Sequence, residues 1–282
     1  MTAPRKPTKA KPSSARDRLR RGKSGADPVA LPTGEAFRPE WIDFAHGIRV
    51  GNLEPHERIT QILKFHLESR YATPIVTDRW GRGVYWQWIC WMPRANRLAK
   101  TVSQKVSFGC SKLFISADGG RRVFKSGLQV ERGYASGPQA AKPWGLRDDF
   151  DWDRLLKACR AGTAFEREFR RLVTEEGFAA AVVTGGADGE LAEQRFTDIA
   201  LLRAALRKCP PQRWAGFQLY YPMPESELRA CTGYELTQAI ARVFDEVVPA
   251  MNCCMDILLR PVTRQPAPSP GEKPSRRRSS TR

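Results

Sequence analysis

The two ends of this chain have almost nothing to bury, and that confines any folded core to the middle. Residues 1–24 carry nine Lys/Arg against Asp17, and residues 261–282 carry six against Glu272, out of a formal net charge of +17. The long middle is left near +4. Pro, Lys, Arg, Ser and Gly dominate residues 1–30 and 263–282, so no apolar burial offsets the entropy lost on ordering them. Both ends are expected to be disordered basic tails around a single domain over 31–262. A whole-chain pI near 10.0 ordinarily suggests a nucleic-acid-binding fold. Here the basic field belongs to flexible arms, and it is the arms that seek phosphate.

The middle has ample material for a core. Its roughly 235 residues suit one large domain. The hydrophobic share of 41% and eight Trp supply a core without a disulfide or metal staple. Seven Cys is an odd number, scattered through apolar or element-ending contexts with no CxxC, as expected of reduced thiols in a cytosol. The N-terminus lacks the apolar stretch of a signal peptide, and no run approaches a membrane span. The chain is therefore expected to be cytoplasmic, with no membrane partner and no cofactor.

Periodicity gives a coarse element order. Asn52 is placed to cap a helix running through Leu67, with Ile59, Ile62, Leu63 and His66 on one stripe. From Pro74 to Arg132 the character turns to β, with strands expected over 84–91, 105–108, 112–116, 121–125 and 128–131 and a turn at Asp118-Gly119-Gly120. Helices are expected over 151–161 and 164–176, the second opened by Thr163 and Glu166 and both punctuated by Gly162 and Gly177. A strand over 178–184, a helix over 198–208, an aromatic strand over 214–221 and a helix from Tyr234 complete the order. The Thr232/Glu235 capping box opens that last helix. The fold class expected is α+β, a mainly antiparallel sheet with helices packed on it.

The most unusual local feature is the aromatic run Trp80, Tyr85, Trp86, Trp88 and Trp91, with Arg79, Arg82, Arg94 and Arg97 nearby. On a regular strand Trp86 and Trp88 share one face, so Trp86, Trp88, Arg94 and Arg97 form a candidate platform for stacking bases or sugars and holding phosphate. The competing reading is a central strand buried on both sides. Three histidines, His46, His56 and His66, fall ten residues apart, which leaves His56 and His66 about 80° apart on a helix and unable to share a metal. His66 reads as a satisfied core histidine, and no metal site is expected. Four acids in 148–153 suit a helix N-terminus. Glu131 with Asp118 could imitate the paired acids of a nuclease, but the Lys such sites want is Gly133. Gly185-Gly186 and Gly81-Arg82-Gly83 read as turns, because the phosphate-loop context is missing.

From Lys112-Leu113-Phe114-Ile115 onward the order of features resembles a bacterial and fungal family of unknown function, domain-of-unknown-function family 2461. The resemblance runs through Ser126-Gly127-Leu128-Gln129-Val130-Glu131, the stretch from Phe165 to Phe178, and Phe217-Gln218-Leu219-Tyr220-Tyr221-Pro222. It continues over Ala241 to Pro249 and covers a little over half the chain. The resemblance implies an α+β fold and no activity. The family's Arg-Asp-x-Arg-Phe segment has no counterpart in this sequence.

Three function classes stay open. The first is a cytosolic α+β binding or interaction protein whose Lys/Arg-rich tails associate with nucleic acid. An enzyme acting on nucleic acid or a nucleotide is the second. A structural or partner-binding domain, with a protein partner and solubilising tails, is the third.

Overall fold

The computed structural model describes residues 32–101, 107–132, 150–185, 191–210 and 214–262. The basic tails expected at 1–30 and 263–282 lie outside the described residues. All of the described residues belong to one unit beginning at Pro32.

Strands β1 (Ile42–Asp43), β2 (Gly47–Arg49), β3 (Ile75–Arg82), β4 (Tyr85–Pro93), β5 (Lys112–Asp118), β6 (Val123–Glu131), β7 (Ala179–Gly185), β8 (Leu191–Phe196) and β9 (Ala215–Pro224) form one sheet. Its order is β1-β2-β4-β5-β6-β9-β7-β8, with β3 paired to β4, and every pairing is antiparallel. Among the described residues seven α-helices accompany it: α1 (Ile59–Tyr71), α2 (Arg94–Leu98), α3 (Asp151–Ala158), α4 (Ala164–Arg170), α5 (Ile199–Lys208), α6 (Glu225–Ala230) and α7 (Gly233–Asn252). The class is α+β with a mainly antiparallel sheet, as the element order implied.

Alternation along the strands decides which face the helices cover. Ile89 and Trp91 of β4, Leu113 and Ile115 of β5, Leu128 and Val130 of β6, and Phe217 and Leu219 of β9 join the main core. That core also holds Ile62 and Leu63 of α1 and Leu236, Ile240, Phe244 and Val247 of α7, so the helices cover this face. The Thr232/Glu235 capping box that opens α7 is formed as read, with each side chain bonding the other's backbone N–H. The opposite face carries a smaller cluster of Cys90, Met92, Phe114, Ala181 and Tyr220.

Several local expectations give way. Asn52 adopts φ 55° rather than capping a helix; Glu54 caps a 3₁₀ turn at Pro55–Glu57, and α1 begins only at Ile59. Pro55 fixes a tight first turn there, so the helix starts at Ile59, the first residue of the apolar stripe, and later than a cap at Asn52 implies. Ser107–Gly109 is a 3₁₀ turn, not the end of a strand. The pieces expected over 121–125 and 128–131 form one strand from Val123. Gly127 sits in its middle because a Cβ there would come within 2.1 Å of the Leu219 carbonyl oxygen on β9. Cys90, Cys159, Cys209, Cys231, Cys253 and Cys254 are free thiols. Among the described residues, no helix is long and apolar enough to cross a membrane.

Candidate functional site

The β3–β4 hairpin holds the aromatic run, and its register decides what each ring does. Trp80 pairs with Trp88, but the next residue, Gly81, pairs with Trp86, so Gln87 is an extra residue on β4. This is a β-bulge, and it reverses the alternation beyond it. Gly81 permits it: its φ is +148°, and a Cβ would lie 2.7 Å from the Trp86 Cα. Gly83, at φ +63°, turns the chain at the tip.

Trp86 and Trp88 therefore do not share a face, contrary to simple alternation. Trp86 lies across from Ile48 and packs against the main core, with the Arg79 guanidinium 4.1 Å from its ring centre. Trp88 packs against the small cluster on the helix-free face, where its Nε1 donates to Gln129 Oε1 at 3.1 Å. Trp91 is fully buried; its Nε1 donates to the Thr60 carbonyl at 3.2 Å and its ring meets Phe244. Arg94 and Arg97 belong to α2, past the far end of β4, roughly 16 Å or more of strand from Trp88. Arg94 is exposed and Arg97 half-buried. The structure thus separates Trp86, Trp88, Arg94 and Arg97 instead of gathering them.

What it exposes is Trp80. This indole is 68% exposed, opposite Trp88 and therefore on the helix-free face, with exposed Arg79 and Arg82 beside it in sequence. Large aromatics bury 150–250 Å² each when covered, so leaving one this open forgoes a substantial stabilisation. The sequence signal that could have singled it out is Gly81-Arg82-Gly83, since a turn there puts Trp80 at the tip.

The same helix-free face carries two polar networks further along the sheet. In the first, Lys112 and Glu131 form a buried ion pair, Glu131 accepts from Gln129 Nε2 at 2.7 Å, and Gln218 Nε2 donates to Gln129 Oε1 at 2.8 Å. Lys112 also lies 5.3 Å from the Trp88 ring centre. Burial opposes the Lys112 charge, but the neighbouring Glu131 carboxylate more than offsets this and holds its pKa above the ordinary lysine value. In the second network Glu193 accepts from Lys125 at 2.6 Å, Tyr220 OH at 2.8 Å, Arg195 at 2.9 Å and Arg121 at 2.5 Å. Burial works against its charge, yet the hydrogen bonds from Lys125 and Arg195 bring its pKa down to about 2. Lys125 also pairs with Asp118 at 2.9 Å.

These pairings separate the two acids considered as a nuclease pair. Asp118 lies opposite Val123 and Glu131 at the other end of β6, roughly 26 Å of strand away. Asp151 of the acidic run is fully buried: it accepts from Lys100 at 2.5 Å, Asn96 at 2.9 Å and the Ser111 backbone N–H at 2.5 Å. Asp148 and Asp149 lie outside the described residues. His46 bonds Asp43 at 2.9 Å, and His66 is half-buried with Nε2 lacking a partner among the described residues, so it is not the satisfied core histidine expected. Among the described residues no three His, Cys, Asp or Glu side chains gather to hold a metal ion.

Comparison with protein-family models, with curated proteins and with solved structures returns no match to this chain.

Proposed function

We propose that this protein is a nucleic-acid-binding protein in which the basic arms supply long-range attraction and the β3–β4 hairpin supplies the contact. The observation that carries this reading is Trp80, 68% exposed near Arg82 at the end of a hairpin. An accessible indole offers a face on which an unstacked base can stack, and the exposed Arg82, two residues on along the same strand, suits a neighbouring phosphate. The arms, with +8 in residues 1–24 and +5 in residues 261–282, concentrate the polyanion near it.

The test is a titration of a labelled single-stranded oligonucleotide, and of its duplex, with the full chain across a salt series. Binding should weaken with salt at a slope of roughly −0.7 per phosphate contact on the single strand. The single strand should bind more tightly than the duplex at each salt concentration. Absence of binding to both at low salt would remove the reading and favour a partner-binding domain.

A further inference from the structure

We infer that Arg49 and Arg82, on either side of Tyr85, form a phosphate site on the helix-free face, and that its ligand is a phosphodiester of the strand whose base stacks on Trp80. The identity of that ligand rests on the nucleic-acid reading above. The bulge that turns Trp86 away from Trp88 also decides this row. Trp80 and Arg82 are two residues apart on β3 and share a face, and Tyr85 lies directly opposite Arg82, so the extra residue Gln87 puts Tyr85 on that face too. Arg49 of β2 lies directly opposite Tyr85, while its neighbours Ile48 and Val50 belong to the main core on the other side. The sheet therefore carries a transverse row of Arg82, Tyr85 and Arg49, roughly 7 Å along β3 from the exposed indole.

Arg49 is the member that points to a ligand. It is half-buried, its Nε is buried, and among the described residues its guanidinium has no hydrogen-bond or ion-pair partner. A guanidinium does not shed its proton, so burial leaves a charge and a fixed set of donors to be satisfied. Other arginines of the sheet are answered by carboxylates: Arg121 and Arg195 by Glu193, and Arg122 by Glu225. Asp43, on β1 beside β2, is taken up by the backbone N–H groups of Ala45 and His46 and by the His46 ring. A phosphate supplies what the row lacks, because the planar fork of an arginine binds two of its oxygens and the Tyr85 hydroxyl is a further donor. Two strand spacings, about 10 Å, separate the backbones of Arg49 and Arg82, so two long side chains can close on one group held over Tyr85.

The experiment is a salt titration of the full chain with a single-stranded oligonucleotide and with an abasic strand of the same length, comparing the unaltered protein with Arg49→Gln, Arg49→Lys and Trp80→Ala. On the oligonucleotide Arg49→Gln should weaken binding by about tenfold and make the salt slope shallower by about 0.7, the value of one phosphate contact. Arg49→Lys should keep the slope, because the charge remains, and lose affinity with the fork. On the abasic strand Arg49→Gln should still weaken binding, while Trp80→Ala matches the unaltered chain. The melting temperature of Arg49→Gln should not fall, since the guanidinium has no partner to lose. Unchanged affinity and slope in Arg49→Gln, beside a weakened Trp80→Ala, would overturn the phosphate site and leave the stacking reading in place. Failure of the unaltered chain to bind either strand would overturn both. A melting temperature lowered by several degrees in Arg49→Gln would assign the side chain to the fold instead of to a ligand.

Discussion

Asp151 shows how much can depend on one carboxylate. It is completely buried and serves a lysine, an asparagine and a backbone amide, which together tie α2, the start of β5 and the first turn of α3. Its removal would leave the Lys100 ammonium buried beside a lost counter-charge. Asp151→Ala should cost about 3–5 kcal/mol, measured by urea unfolding, whereas Asp153→Ala, half-buried and paired with the exposed Lys157, should cost well under half of that. His66 carries a second prediction. Burial opposes its protonation, more strongly than the nearby Asp245 favours it, so its pKa lies below 6.5. The unfolded chain then takes up a proton first as pH falls through 6.5, and folded stability must decrease below that value. Glu193 acts in the same direction at lower pH, because its depressed pKa contributes stability above 4.5 that is lost as pH falls toward about 2. His66→Leu should flatten the upper limb of the stability–pH curve and leave the lower limb in place.

Close backbone approach governs the elements. β6 and β9 pass so near each other at Gly127 that a Cβ would meet the Leu219 carbonyl and the Tyr220 Cα. Gly127→Ala should therefore destabilise by about 1–3 kcal/mol or more through forced backbone movement, visible as a lowered Tm. The long helices were legible from sequence because their apolar stripes and caps act within a few residues: Leu236, Ile240 and Phe244 behind Thr232 and Glu235 needed nothing distant. β8 was not legible. Leu191-Ala192-Glu193-Gln194-Arg195-Phe196 has helix-like composition and becomes a strand because β7 pairs with it along its whole length. The platform was half legible for a related reason. Aromatic residues marked the hairpin, but the extra residue Gln87 is set by register between two strands, and no local pattern announced that it would turn Trp86 away from Trp88.

For the whole molecule, the charge distribution and the sheet give separable contributions. The helices cover one face with an apolar core, while the other bears buried ion pairs in its middle and the open Trp80 hairpin toward one side. In the proposed reading, charge on the arms would set how affinity depends on salt and the hairpin would set how a single strand is distinguished from a duplex. The most direct measurement is the affinity of full-length Trp80→Ala for single-stranded and duplex oligonucleotides beside that of the unaltered chain, at one fixed salt concentration. Losing one stacked base should cost about 1–3 kcal/mol on the single strand, with little change on the duplex, while the melting temperature stays put because the ring is exposed. Equal affinity of the two proteins for the single strand would contradict the assignment of Trp80 as the contact.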